Sequence, residues 1–273
     1  MAKNRVVTLL TDFGLADPYV AAMKGVILNI APGATLVDLS HDVPAGDVMT
    51  GAFVLRQAFP YFPAGTVHCA VVDPRVGTDR RIMAACYAGQ SIVFPDNGVI
   101  TFVDRDQPLE EIVVVRNEQY FLARTVSTTF HGRDIMAPVA ARLADGLSLA
   151  ALGPPPERFK LLDLPPPCKG ADGSLVGQVI YVDKFGNLIS SLSADMVDLA
   201  PRDRTGPDVY CGERRLGPLQ VSYAFVPPGE PLALINSMSL VEVAVNGGRA
   251  CDVLSAGLGT PIRLTKRRSE VKP

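Results

Sequence analysis

The stretch RVVTLLTDFGLADPYVAAMKGVILNIAPGATLVDL, Arg5 to Leu39, decides the fold. Its first part, Arg5 to Thr11, is a compact apolar run that breaks off at Asp12-Phe13-Gly14, the pattern of a buried strand running into a loop. Asp17-Pro18 reads as an N-cap followed by proline at the first helical position. Val20, Met23, Ile27 and Ile30 then recur at helical spacing until Pro32-Gly33 stops the helix, and Thr35 to Leu39 forms a second strand. Working outward, Pro44 opens a second helix through Met49, Phe53, Leu55 and Phe59, and Thr66 to Val72 is a third strand ending at Asp73-Pro74. Strand, helix, strand, helix, strand is the order of an α/β domain with a largely parallel sheet. Ligands of such sheets sit beyond the carboxyl ends of the strands, where Asp12 and Asp73 fall.

Past Thr78 the texture changes. Ile82 to Tyr87, Ser91 to Phe94 and Glu111 to Val115 read as shorter strands, and Gly132 to Ala144 as a helix. Two proline triplets, Pro154 to Pro156 and Pro165 to Pro167, favour stiff, extended backbone and read as an interdomain linker. Beyond Gly170 the signals are strands and turns: Leu175 to Val182, Asn187 to Ser190, Gln220 to Phe225, Leu232 to Asn236 and Leu240 to Val245. The expected organisation is an α/β domain over 1–153, a linker over 154–170, and a smaller all-β, barrel-like domain with little helix over 171–273.

Composition narrows the function classes. Hydrophobic residues make up 48% and charged residues 20% of 273 residues, enough apolar surface for a core and too little charge for disorder. A net charge of -2 leaves no electrostatic footprint for nucleic acid. The one basic run, Lys266, Arg267, Arg268 and Lys272, reads as a solvated tail. Five scattered cysteines (Cys69, Cys86, Cys168, Cys211 and Cys251) include no CxxC pair, so they read as buried free thiols in a reducing compartment. No apolar run approaches a signal peptide or a membrane span, and a cytoplasmic protein is expected. No metal-ligand spacing appears, so no metal and no cofactor are expected. No GxGxxG follows the first strand, which disfavours a methyltransferase.

Four segments concentrate chemistry. VVDPRVGTDRR, Val71 to Arg81, packs Asp73, Arg75, Asp79, Arg80 and Arg81 around a turn; taken alone it is as readily a solvated charged turn. STTFHGRD, Ser127 to Asp134, places His131 in a loop just before a helix, beside a glycine that permits close backbone approach. His41 and His68 read as structural. YVDKFGNLISS, Tyr181 to Ser191, sets Asp183 and Asn187 about Phe185-Gly186, where a plain hairpin turn is an equal explanation. INSMSLVEVAVN, Ile235 to Asn246, interrupts an apolar strand with Asn236, Ser237 and Glu242; the carboxylate also fits the outward face of an alternating strand.

Together and in this order, the segments resemble the S-adenosylmethionine hydroxide adenosyltransferases, relatives of the S-adenosylmethionine-dependent fluorinase and chlorinase. The resemblance runs from about Val6 to about Asn246. It is carried by TDFG with Asp17-Pro18-Tyr19-Val20, the DPxVGTxRR turn, Pro95-Asp96-Asn97-Gly98, TFHGRD and DKFGN. It implies an enzyme that hydrolyses S-adenosylmethionine to adenosine and methionine by attack of water or hydroxide at C5′, acting as a homotrimer with sites between subunits. It implies catalytic roles for Asp73, Arg80 and His131, a ribose contact for Asp12, and substrate contacts for Phe130, Asp183, Asn187, Ser237 and Glu242. Relatives usually carry glycine where this chain has Arg75, which implies a crowded turn or an added charge beside the site, and weaker catalysis rather than a different reaction. Either His131 takes the proton from water or Arg80 holds a preformed hydroxide. A halogenating enzyme is the alternative within the family, opposed by Asp73 and His131 where halogenating relatives carry uncharged residues and tyrosine. A non-catalytic binder of S-adenosylmethionine or adenosine is the alternative outside it, and it has no need of Asp73, Arg80 and His131 together.

Overall fold

The computed structural model describes residues 5–123, 125–197 and 206–265, so the basic tail lies outside the described residues. The chain divides into two compact units, 1–162 and 163–273.

The first unit is built on a six-stranded sheet. Its strands are β1 (Val6–Thr11), β2 (Thr35–Ser40), β3 (Val67–Val71), β4 (Ile82–Tyr87), β5 (Gln90–Pro95) and β6 (Leu109–Val114), in the order β2-β1-β3-β5-β4-β6. The pairs β1–β2, β1–β3 and β3–β5 are parallel, whereas β4 runs antiparallel to both β5 and β6. The sheet is therefore mixed, a correction to the largely parallel expectation. Its cause is local: Ala88 and Gly89 both take positive φ (48° and 69°), which closes β4 onto β5 as a two-residue hairpin.

Successive strand residues point to opposite faces of the sheet and feed two cores. Val7, Leu9, Cys69 and Val71 join Met23 and Ile27 of α1 (Tyr19–Ile30) and Val139 and Ala140 of α4 (Ala137–Ala144). Leu10, Ala70 and Val72 face the other way, onto Leu55 of α2 (Val48–Ala58) and Val103 of α3 (Thr101–Asp106). Each fully buried Leu, Ile or Met of these layers contributes about 1.5–3 kcal/mol of burial.

The helix boundaries differ from the sequence reading. Pro18 itself stands at the cap of α1 and no side chain caps it, so Asp17 is not the N-cap. α2 begins at Val48 rather than at Pro44, because Asp47 caps it by accepting from the Thr50 N–H. The helix foreseen from Gly132 opens as a π-helical turn, Gly132–Met136, before becoming α4.

The second unit is an eight-stranded antiparallel sheet. β7 (Cys168–Lys169) pairs with β8 (Leu175–Val182), and the remaining strands are β9 (Leu188–Ser193), β10 (Asp208–Cys211), β11 (Arg214–Pro218), β12 (Pro231–Ile235), β13 (Leu240–Val245) and β14 (Pro261–Thr265). Their order is β11-β10-β14-β8-β9-β13-β12, and a bridge from Gln220 to Leu234 brings the chain after β11 against β12, nearly closing a barrel. Gln220 to Phe225 is not a strand; Tyr223–Phe225 forms a single 3₁₀ turn with Val221 and Phe225 turned outward. The one α-helix described in this unit is the single turn α5 (Ala250–Val253). All five cysteines are free, but only Cys69 and Cys211 are buried; Cys168 is exposed, contrary to the sequence reading.

Candidate active site

β1 and β3 are neighbours with Thr11 opposite Val71, so Asp12 and Asp73 emerge side by side from the carboxyl end of the sheet. After Asp73 the chain turns back through Gly77, whose φ of +79° suits glycine. A Cβ at Gly77 would lie 2.3 Å from the Thr128 carbonyl oxygen, so this glycine lets the charged turn press against the loop that carries His131. On the far side of that loop, a Cβ at Gly132 would lie 3.2 Å from Val71, and the loop is thus seated on β3 itself.

These contacts bring Asp73, Arg80 and His131 into one chain of hydrogen bonds. Arg80 Nε donates to Asp73 Oδ2 at 2.7 Å, and Nη2 lies 2.6 Å from the same oxygen. The pair is desolvated, with the side chains only 3% and 5% exposed. Arg80 Nη2 also donates to His131 Nδ1 at 2.6 Å. A guanidinium has no acceptor to offer, so Nδ1 is the acceptor and the imidazole carries its proton on Nε2. Burial and the adjacent Arg80 charge hold the His131 pKa below its usual value, against the opposing pull of Asp73 and Asp134. The imidazole is therefore neutral at pH 7.

Around this chain stand groups of plainer function. Asp12 Oδ2 accepts from the Gly46 N–H at 2.8 Å, which fixes the carboxylate and leaves Oδ1 for other donors. Phe130 meets Phe13 and Tyr19 edge-on, with ring centroids 5.8 and 5.2 Å away, and the Arg133 guanidinium lies 5.0 Å over its ring. Asp134, which the sequence reading did not single out, is buried and clamps this loop by accepting from Arg133 Nε at 2.6 Å and from the Ser127 N–H at 2.8 Å. Burial pushes its carboxyl up, but these donors outweigh it and hold the pKa low. Arg75 does not crowd the turn; its side chain is 55% exposed and reaches Asp79 at 3.5 Å. His68 is fully buried between Thr8 Oγ1 (2.8 Å) and Gln90 Oε1 (2.9 Å), and burial pushes its pKa down to about 4. His41, also buried, has Nδ1 2.9 Å from Thr11 Oγ1, beneath the Asp12 loop.

The second unit gathers its own polar set. Asp183 and Asn187 bond to each other twice: the Asn187 N–H and Nδ2 donate to the two carboxylate oxygens of Asp183, each at 2.9 Å. Gly186, with φ of +81°, makes this turn possible. Glu242 does not face outward; it is 4% exposed, and burial raises its pKa. It accepts from Tyr223 Oη at 2.7 Å and from Asn236 Nδ2 at 3.2 Å. Ser237 is exposed in the turn between β12 and β13. Asn236 lies in the segment Ile235 to Asn246, whereas Tyr223 carries no signal in the sequence because Gln220 to Phe225 has the apolar pattern of a strand. Among the described residues, no group of three or more His, Cys, Asp or Glu side chains is arranged to hold a metal.

The chain is similar to known proteins over nearly its whole length. The family pattern described as SAM hydroxide adenosyltransferase N-terminal domain matches residues 7–153, and that of the corresponding C-terminal domain matches residues 177–263. The "(R)-S-adenosyl-L-methionine hydrolase" of Salinispora tropica is 42% identical over 267 residues, covering 97% of this chain and 99% of the relative. A more distant relative, the "Fluorinase" of an Actinoplanes species, is 27% identical over 298 residues, covering 96% and 98%. The crystal structure of an uncharacterized conserved protein from Thermotoga maritima superimposes with a TM-score of 0.88 at 35% identity, covering 95% of this chain and 99% of that one. On the strength of both matched halves, the chain belongs to the SAM hydroxide adenosyltransferase family.

Proposed function

We propose that this chain is an enzyme that hydrolyses S-adenosyl-L-methionine to adenosine and L-methionine, by in-line attack of water or hydroxide on the ribose C5′. The observation that carries the reading is the buried chain Asp73–Arg80–His131. The sulfonium leaves as a neutral thioether, so the leaving group needs no acid, no metal and no cofactor. The nucleophile is the difficulty, because water has a pKa of about 15.7 and one proton must be lost as the C–O bond forms. Arg80 is held at Nε and Nη2, so Nη1 keeps two N–H donors for the incoming oxygen. Fixed charge in a dry site stabilises developing hydroxide far better than the same charge in water.

The tautomer bears on which group activates the water. His131 Nδ1 already accepts from Arg80, and Nε2 carries the proton, so the imidazole has no free lone pair until it releases Arg80. This supports the assignment in which Arg80 holds a hydroxide whose proton has already passed to solvent, with His131 positioning the guanidinium and offering Nε2–H as a donor. Asp73 positions Arg80 and neutralises it. Asp12 is assigned to the vicinal ribose hydroxyls, Phe130 to an apolar wall of the substrate, and Asp183, Asn187, Ser237 and Glu242 to its methionine and adenine parts.

The alternatives fare less well. A halide gains nothing beside the Asp73 carboxylate, and the relative named a hydrolase is 42% identical against 27% for the one named a fluorinase. A protein that only bound its ligand would have no use for a desolvated Asp–Arg pair joined to His131. The proposal extends to a cytoplasmic homotrimer with sites between subunits, supported by the five free cysteines and by exposed Leu15, Tyr19, Phe185, Val221 and Phe225.

The test is incubation with S-adenosylmethionine, with and without chloride or fluoride, resolved by mass. Adenosine and methionine in equal amounts without halide are expected, and His131→Ala should slow their release by about 10²-fold or more. A halogenated nucleoside, or ligand binding without turnover, would overturn the assignment.

A further inference from the structure

One feature of the first unit lies beside the proposed reaction centre and shares only Arg80 with it. A cleft of about 920 Å³ opens beside the Asp73–Arg81 turn, backed by the stiff run Pro154, Pro155 and Pro156. Six cationic side chains line it (Arg75, Arg80, Arg81, Arg116, Arg158 and Lys160) against the carboxylates of Asp79, Asp96 and Glu157. Asp96 is already spent, since it accepts from Arg81 Nε at 2.9 Å and from the Lys160 N–H at 2.8 Å. Asp79 is 93% exposed and meets only Arg75, at 3.5 Å, where solvent leaves little attraction. Among the described residues, no ion pair is found for the side chains of Arg116, Arg158 or Lys160.

We propose that this cleft is a binding site for a small polyphosphate-bearing anion. Guanidinium groups suit phosphate oxygens, which they engage two N–H donors at a time, and the three cations with no ion pair among the described residues, Arg116, Arg158 and Lys160, call for a ligand of several negative charges. The volume lies within the range of sites that enclose a small molecule. The backbone is already set: Arg81 Nη2 donates to the Arg158 carbonyl at 2.7 Å, and the Val114 N–H donates to the Pro154 carbonyl at 2.8 Å. The proline run and the arginine turn therefore form one prepared wall rather than two loose loops. Because Arg80 borders the cleft, an anion seated there draws on the guanidinium assigned to the nucleophile. Occupancy then slows hydrolysis; this consequence rests on the reading of Arg80 above, whereas binding does not.

Sodium triphosphate is the probe, titrated calorimetrically into the full chain at low salt. Saturable binding is expected, weakening several-fold as salt rises from about 50 to 200 mM. An Arg116→Ala/Lys160→Ala double variant should bind at least about 10-fold more weakly. Both residues are exposed, so its melting temperature and its hydrolysis rate without triphosphate should match the unaltered chain. No saturable heat, or equal affinity in the double variant, would overturn the site. Binding without slowed hydrolysis would overturn the link to Arg80. A chain that hydrolyses nothing would still report binding, so the two readings fail separately.

Discussion

At the scale of single residues, Arg80 is where charge, geometry and burial meet. Lysine in its place keeps the charge but not the planar fork, and cannot hold Asp73, His131 and a nucleophile at once. Arg80→Lys should therefore lower kcat by about 10²–10³-fold with a much smaller change in KM, as steady-state kinetics would show. A large rise in KM at constant kcat would instead make Arg80 a substrate-binding residue. The hydrolysis rate should also fall in acid, at a pH set by the His131 pKa, which burial and the Arg80 charge hold below the ordinary imidazole range. Its protonation puts a proton on Nδ1 and expels the Arg80 N–H. That limb should vanish from the pH–rate profile of His131→Ala. None of this tautomer logic was legible in the sequence, which offers the residue types but not which nitrogen faces which partner.

At the scale of elements, the site depends on two loops pressed together, and Gly77 is the contact. An alanine there takes both the positive φ and a 2.3 Å approach to the Thr128 carbonyl, so the charged turn must move away from the His131 loop. Gly77→Ala should cost about 1–3 kcal/mol in thermal unfolding and reduce hydrolysis more than that loss explains. A variant of unaltered stability and rate would show the contact to be dispensable. The elements that build this end of the sheet were largely readable: β1, β2 and β3 are short apolar runs closed by turn residues, and α1 and α2 show their periodicity plainly. The hairpin direction of β4 was not, because Ala88 is an unremarkable residue until its φ is known. β10, β11 and β14 escaped for a different reason: they are only four or five residues long, and β11 ends in Gly217-Pro218, a turn signal rather than a strand signal. Gln220 to Phe225 failed in the opposite sense, since its apolar side chains, Val221 80% and Phe225 58% exposed, belong to an outward turn.

At the scale of the whole molecule, buried histidine sets an acid limit. The His68 pKa falls from 6.5 to about 4 on folding, so the unfolded chain takes up this proton first as pH drops. Its contribution is fully present above about pH 6.5 and lost progressively down to about pH 4, a loss of about 3 kcal/mol at 1.36 kcal/mol per unit. Denaturant unfolding across that window should show the decline. His68→Gln, less stable at pH 7, should show a shallower one, and identical slopes would remove His68 from the account. The assembly is checked by sedimentation velocity. A single species near three times 29.1 kDa is expected, and a 29.1 kDa species at micromolar concentration would rule out the trimer.

The π-helical turn at Gly132–Met136 has an evolutionary corollary. The Ala137 N–H reaches back five residues to the Gly132 carbonyl, so the coil holds one residue more than an ordinary turn would. Each residue of an α-helix advances the chain by about 100°. Loss of one codon here would let the coil relax into regular helix while swinging His131 about a quarter-turn away from Arg80. In descendants of this gene a point substitution in that segment alters one contact, whereas a one-residue deletion turns the histidine to face elsewhere.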